Sequence, residues 1–126
     1  MWQEASFSRF LKERRRARGI TVREMAELAG LSPGYYSDIE SGRRNPPGRG
    51  ILDRMLAALG APDGDRKLLY DLAGQARAEA PPDLPDYINE YEPVRVALRL
   101  AKDKGNMDDW RQFIRSLEQK GGGRND

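Results

Sequence analysis

The sequence contains no cysteine and no histidine. Without cysteine there is no disulfide framework, no thiolate nucleophile and no cysteine zinc site. Without histidine the Ser–His triad is excluded, together with the usual imidazole metal ligand. A carboxylate-only cation site stays chemically open, but no dense Asp/Glu ligand loop occurs, so neither metal nor cofactor is expected. No GxxxxGK or GxGxxG stretch is available to cradle a phosphate. No catalytic residue is therefore assigned, and the expectation is a binder, not an enzyme. Strand formers are equally scarce: three Val, five Ile and one Thr in 126 residues, with no convincing apolar/polar alternation. No apolar run approaches membrane-spanning length, and Met1-Trp2-Gln3-Glu4 does not open a signal peptide. The expected setting is the cytoplasm, with no membrane partner.

Charge is plentiful, at 33% of residues with a net of only +2. It is unevenly placed. Residues 1–50 carry ten basic and six acidic side chains, and the remainder twelve and fourteen. A basic front half joined to a slightly acidic rear half suits an electrostatic task for the front, although differences this small also arise by chance.

Helix signals fill the chain and predict an all-α fold. Phe7, Phe10 and Leu11 fall at helical spacing, continued by Ala17 and stopped by Gly19. Thr21-Val22-Arg23-Glu24 is a capping box, with Met25, Ala26 and Ala29 as the inner face of a short second helix. After Gly30, Ser32-Pro33 restarts a third helix as N-cap and first-turn proline, with Tyr36 and Ile39 inward and Gly42 at its close. A fourth helix carries Ile51, Leu52, Met55, Leu56 and Leu59. A fifth runs from about Asp65 to Arg77 with Leu68, Leu69 and Leu72 inward. The expected organisation is a domain over 7–79, a stiff proline linker over 80–85, a helical extension over 86–119 and a disordered tail over 120–126. In the extension, a short helical turn near Pro85 precedes a helix from Pro93. Asn106 caps a last helix over about Met107–Glu118, striped by Trp110, Phe113, Ile114 and Leu117.

Two short helices joined by a glycine-containing turn are the reading unit of many DNA-binding proteins. The ordered set Ala26, Gly30, Ser32, Ile39-Glu40 and Gly42, followed by Arg43-Arg44-Asn45-Pro46, resembles the helix-turn-helix family of phage lambda repressor and Cro, also called the xenobiotic-response-element type. The resemblance covers roughly Leu11 to Leu72. It implies a five-helix lambda-repressor-like DNA-binding domain, here with a C-terminal helical extension, whose second and third helices read double-stranded DNA in the major groove. It also implies a structural ion pair between Arg15 and Glu40; otherwise Arg15 is one more solvated charge in the Arg14-Arg15-Arg16 run.

Carried over residue by residue, the family's base-reading positions fall on Pro33, Gly34, Ser37 and Asp38, with Ser32 and Tyr35 beside them in the groove. The set departs from common practice. Guanine is usually read by Arg or Lys and adenine by Asn or Gln, whereas Asp38 can only accept, as from cytosine N4. Pro33-Gly34 can also be no more than a helix start, with Tyr35 packing on its neighbours. Val22 stands where many members carry a backbone-contacting Gln. Arg43, Arg44 and Asn45 in the following loop, with Thr21 and Arg23 at the start of the second helix, are the expected phosphate contacts.

The extension lies outside the family pattern. Its amphipathic helices either fold back as extra core or pair two chains into a homodimer. The implied function is a sequence-specific transcriptional regulator, expected to be a repressor. The alternative is an antitoxin-like or other interaction module, whose extension holds a protein partner while the front domain regulates its own promoter.

Overall fold

A computed structural model describes the backbone of residues 2–123 and the side chains of residues 7–120. Its eight helices are α1 (Trp2–Ala17), α2 (Val22–Ala29), α3 (Pro33–Ser41), α4 (Arg49–Leu59), α5 (Asp63–Arg77), α6 (Pro85–Glu90), α7 (Glu92–Lys104) and α8 (Met107–Gly123). No strand occurs among the described residues.

The helix ends follow local chemistry. Thr21 Oγ1 accepts from the Glu24 amide at 3.1 Å while Glu24 Oε1 accepts from the Thr21 amide at 2.8 Å, a reciprocal cap on α2. The same bond to the Thr21 amide holds the Glu24 carboxyl below its ordinary value. Ser32 Oγ caps α3 by accepting from the Tyr35 amide at 3.1 Å. Gly30, at φ 76°, makes the left-handed turn between α2 and α3, a conformation in which a Cβ is costly.

The chain divides into two compact units after Pro85. In the first, α1 packs on α5 and α3, and α2 packs on α3 and α4. Phe7, Leu11, Met25, Tyr36, Ile39, Leu52, Met55, Leu56 and Leu69 are almost wholly buried and form one core. Two expected inward residues turn out: Leu68 is 43% exposed and Ala17 is exposed. Consecutive residues are about 100° apart on a helix, so Leu68 and Leu69 cannot share a narrow stripe. Tyr70, Ala73 and Gly74 complete the buried face of α5. The chain just before and at the start of the expected proline linker over 80–85 lies against α5. The Glu79 amide donates to the Gly74 carbonyl at 2.9 Å, and the chain at 79–81 runs directly over Gly74.

The second unit holds α6, α7 and α8. Asn106 Oδ1 accepts from the Asp109 amide, and Asp109 Oδ2 from the Asn106 amide, both at 3.0 Å, capping α8. Arg95 spans the α6–α7 corner by donating to the Ile88 and Asn89 carbonyls. The Trp110 and Phe113 rings lie tilted by 56° with centroids 6.2 Å apart. α8 continues through Gly123, into the stretch expected as a tail over 120–126. Extending an existing helix by a residue needs no new nucleus, so glycine's cost of about 1 kcal/mol is tolerated there. Residues 124–126 lie outside the described residues. No side chain described in 86–120 is buried.

Candidate nucleic-acid interface

The two helices with the capped, glycine-turned junction present one face to the core and the other outward. Met25, Ala26 and Ala29 of α2 and Tyr36, Ile39 and Glu40 of α3 are buried. Arg23, Ser32, Pro33, Gly34 and Tyr35 are exposed, and Ser37 and Asp38 are half-buried. The outward surface of α3 is therefore its first turn plus the residues one turn later.

A buried ionic cluster fixes α3 against α1. Arg15 Nε and NH2 donate to the two oxygens of Glu40, both at 2.8 Å, in a fork that matches the carboxylate. Arg15 NH1 donates to the Ile20 carbonyl at 2.8 Å, tying in the α1–α2 corner. Tyr36 Oη donates to Glu40 Oε2 at 2.6 Å. The bond to Glu40 raises the Arg15 pKa against the opposing effect of burial. Burial acts to raise the Glu40 pKa, but the bonds from Arg15 and Tyr36 outweigh it and hold the carboxyl low. Tyr36 is pushed up, first by burial and then by its bond to Glu40. Arg15 is thus a buried member of the fold, not a solvated charge.

The loop after α3 carries Arg43, Arg44 and Asn45, all exposed, followed by buried Pro46 and Pro47. Arg43 Nε donates to Asp38 Oδ1 at 2.9 Å, and the Arg44 guanidinium lies 4.4 Å from the Tyr35 ring centre. Tyr35 consequently serves as a platform for Arg44. These residues border an open cleft of about 450 Å³ whose lining includes Arg43, Arg44, Asn45 and Arg77. Arg77, at the end of α5, was not expected here. Its NH1 donates to the Pro46 carbonyl at 2.8 Å and its Nε to Glu79 at 3.0 Å, fastening the loop to α5. Thirty-one residues separate Arg77 from Pro46, and no local signal links them.

Thr21 and Ser32 use a hydroxyl lone pair in capping, which leaves the hydroxyl hydrogen free to donate outward. Arg23 projects from the first turn of α2 without packing into the core. The exposed rim is rich in guanidinium donors, while the α3 surface between them is short in amide and guanidinium groups. Among the described residues no cluster of acidic side chains could hold a metal ion, and no helix is long and apolar enough to cross a membrane.

Comparison with known proteins places these features in context. A family model described as a helix-turn-helix domain matches residues 6–69. RghRB of Bacillus subtilis (strain 168), described as an uncharacterized HTH-type transcriptional regulator, is 30% identical over 99 residues, which is 79% of this chain and 68% of that protein. Among solved structures, the clp gene regulator ClgR from Corynebacterium glutamicum is 26% identical, aligning over 82% of this chain and 96% of its own with a TM-score of 0.48.

Proposed function

This chain belongs to the helix-turn-helix domain family, and from that premise we propose that it is a sequence-specific DNA-binding transcriptional regulator that acts as a repressor. It works by binding and carries out no reaction. The observation that carries the reading is the outward face of α3, held by the buried Arg15–Glu40–Tyr36 cluster and flanked by exposed arginines. The first turn of α3 enters the major groove. Ser32, Pro33, Gly34, Tyr35, Ser37 and Asp38 line that contact, and Thr21, Arg23, Arg43, Arg44 and Asn45 meet phosphates on either side. With few base-reading donors on α3, DNA shape contributes part of the selectivity. Repression is the reading most in keeping with a groove reader that acts by covering its site.

The second unit supports pairing. Met107, Phe113, Ile114 and Leu117 of α8 are 62%, 52%, 51% and 47% exposed, and Val96 and Leu100 of α7 are similarly open. A stripe of this kind on an amphipathic helix is buried in a working protein. We assign it to a second copy of this chain, because a two-fold dimer presents two reading helices to half-sites about 34 Å apart. Selection of bound sequences from random duplex DNA at two salt concentrations tests the function. Enrichment of a two-fold symmetric motif is the expected result. Retention with no enriched motif at either salt removes the sequence-specific reading and favours the interaction module.

A further inference from the structure

Arg43 and Arg44 are already engaged by a carboxylate of the reading helix itself. Asp38 Oδ1 lies 2.9 Å from both Nε and NH2 of Arg43, and Asp38 Oδ2 lies 3.9 Å from Arg44 Nε. The backbone enforces the approach: after the left-handed turn at Gly42, the Arg44 amide donates to the Asp38 carbonyl at 3.1 Å. The Tyr35 ring also holds the Arg44 guanidinium, 4.4 Å from its centre. Helix α3 has two acidic residues. Glu40 is consumed inside the fold by Arg15 and Tyr36, so Asp38 is the one whose charge reaches the outer surface.

A carboxylate at this place repels phosphate, and in the groove its only direct base partner is the cytosine amino group. It also needs a donor at all times, because an ionised carboxylate enclosed between protein and DNA without one is costly. Arg43 supplies that donor in the free protein. We propose that Asp38 is an internal counter-ion that couples base reading to phosphate grip. At a site offering a suitably placed base donor, Asp38 exchanges Arg43 for the base and Arg43 passes to the DNA backbone. At other sites Asp38 keeps Arg43, and the non-specific complex is denied that contact. Asp38 is thereby a specificity-determining residue acting through Arg43 and Arg44. The proposal rests on the DNA-binding reading above, but its electrostatic half can be tested apart from it.

The substitution is Asp38→Asn, which keeps size and polarity and removes the charge. On immobilised heparin, a polyanion without bases, D38N elutes at higher salt than the parent protein. In an R43A/R44A background the same substitution shifts elution far less. An unchanged elution, or an equal shift in both backgrounds, overturns the counter-ion. On DNA, affinity of D38N for a random duplex rises roughly five- to tenfold and the log–log salt slope steepens by about one. Affinity for the selected operator rises less, so discrimination falls. Loss of affinity on both duplexes, or an equal gain on both, overturns the coupling. A parent protein that binds no duplex while D38N still shifts on heparin refutes the DNA-binding reading and the coupling, but not the counter-ion.

Discussion

Arg15 on α1 and Glu40 on α3 meet through two parallel 2.8 Å hydrogen bonds in the interior of the first unit, and both side chains are more than nine-tenths buried. The pair is satisfied on every side: Ile20 takes a further Arg15 donor and Tyr36 supplies a second bond to Glu40. Such a pair adds little net stability over a well-packed apolar substitute, because both charges were taken from water. Its consequence is geometric. It sets how α3 sits on α1, and hence where the outward face of α3 points.

Removing one partner leaves the other charge buried and alone. Arg15→Ala is expected to destabilise the protein by about 3–5 kcal/mol. Replacing both partners together, as Arg15→Met with Glu40→Leu, is expected to recover most of that loss. Thermal and denaturant melts of the two variants check this, and an Arg15→Ala protein that melts with the parent contradicts the buried pair.

The same cluster makes stability depend on pH at both extremes. Burial opposes the charge on Glu40, but its hydrogen bonds win and its folded pKa is depressed. Its contribution is therefore complete above the unfolded value, about 4.3, and is lost as pH falls through the folded value. Tyr36 is raised by burial and by Glu40. Its contribution is complete below the unfolded value, about 10, and is lost as pH climbs beyond it. Denaturant melts across pH should show a plateau with a fall on each side. Tyr36→Phe should lower the plateau and shrink the alkaline fall, while Glu40→Gln should shrink the acid one.

Much of this was legible because it is local. The Thr21–Glu24 capping box, the Ser32-Pro33 start and the glycine stops each lie within a few residues, where spacing alone carries the signal. The inward stripes of α2 and α3 were readable for the same reason. Arg15 and Glu40 were suggested by family resemblance, since one arginine among three looks like any other. The hydroxyl of Tyr36 was hidden by its inward apolar ring, and the engagement of Asp38 by Arg43 appears only once the chain turns at Gly42. Arg77 on Pro46 and the packing at Gly74 depend on tertiary approach, which no local pattern encodes.

Gly74 and Ala78 give a paired test of how α5 ends. A Cβ on Gly74 would fall 2.9 Å from both the Glu79 carbonyl oxygen and the Pro81 nitrogen, backbone atoms that cannot swing aside. Gly74→Ala is expected to cost about 1–3 kcal/mol. Ala78 occupies the left-handed cap at φ 56°, where a Cβ is unfavourable. Ala78→Gly is expected to add about 1 kcal/mol by removing it. Opposite shifts in denaturant midpoint are the predicted signature.

Arg43 and Arg44 position the protein on its site in the proposed complex, and such contacts carry no sequence information directly; any they transmit comes through Asp38. Arg43→Ala/Arg44→Ala should weaken binding to both duplexes, and to operator more than to random duplex, because only at the operator has Asp38 released Arg43 to the backbone. It should also flatten the log–log salt slope by about one to two. Fluorescence anisotropy titrations at several salt concentrations measure both quantities. Loss confined to one sequence, with the slope unchanged, would make these arginines base readers instead.

In the proposed dimer, the apolar stripe of α8 brings two reading helices together. Phe113 and Leu117 lie one helical turn apart and are both about half exposed. Charging that stripe with Phe113→Asp/Leu117→Asp should dissociate the proposed dimer while leaving the first unit folded. Its core of Phe7, Leu11, Tyr36 and Leu56 is built wholly within residues 7–73. Sedimentation at micromolar concentration reads the oligomeric state, and circular dichroism reads the retained helix. The variant should then bind a single half-site about as the parent does and lose the gain from a second half-site in phase. A parent protein that sediments as a monomer yet binds both half-sites with full affinity would assign the stripe to a different partner.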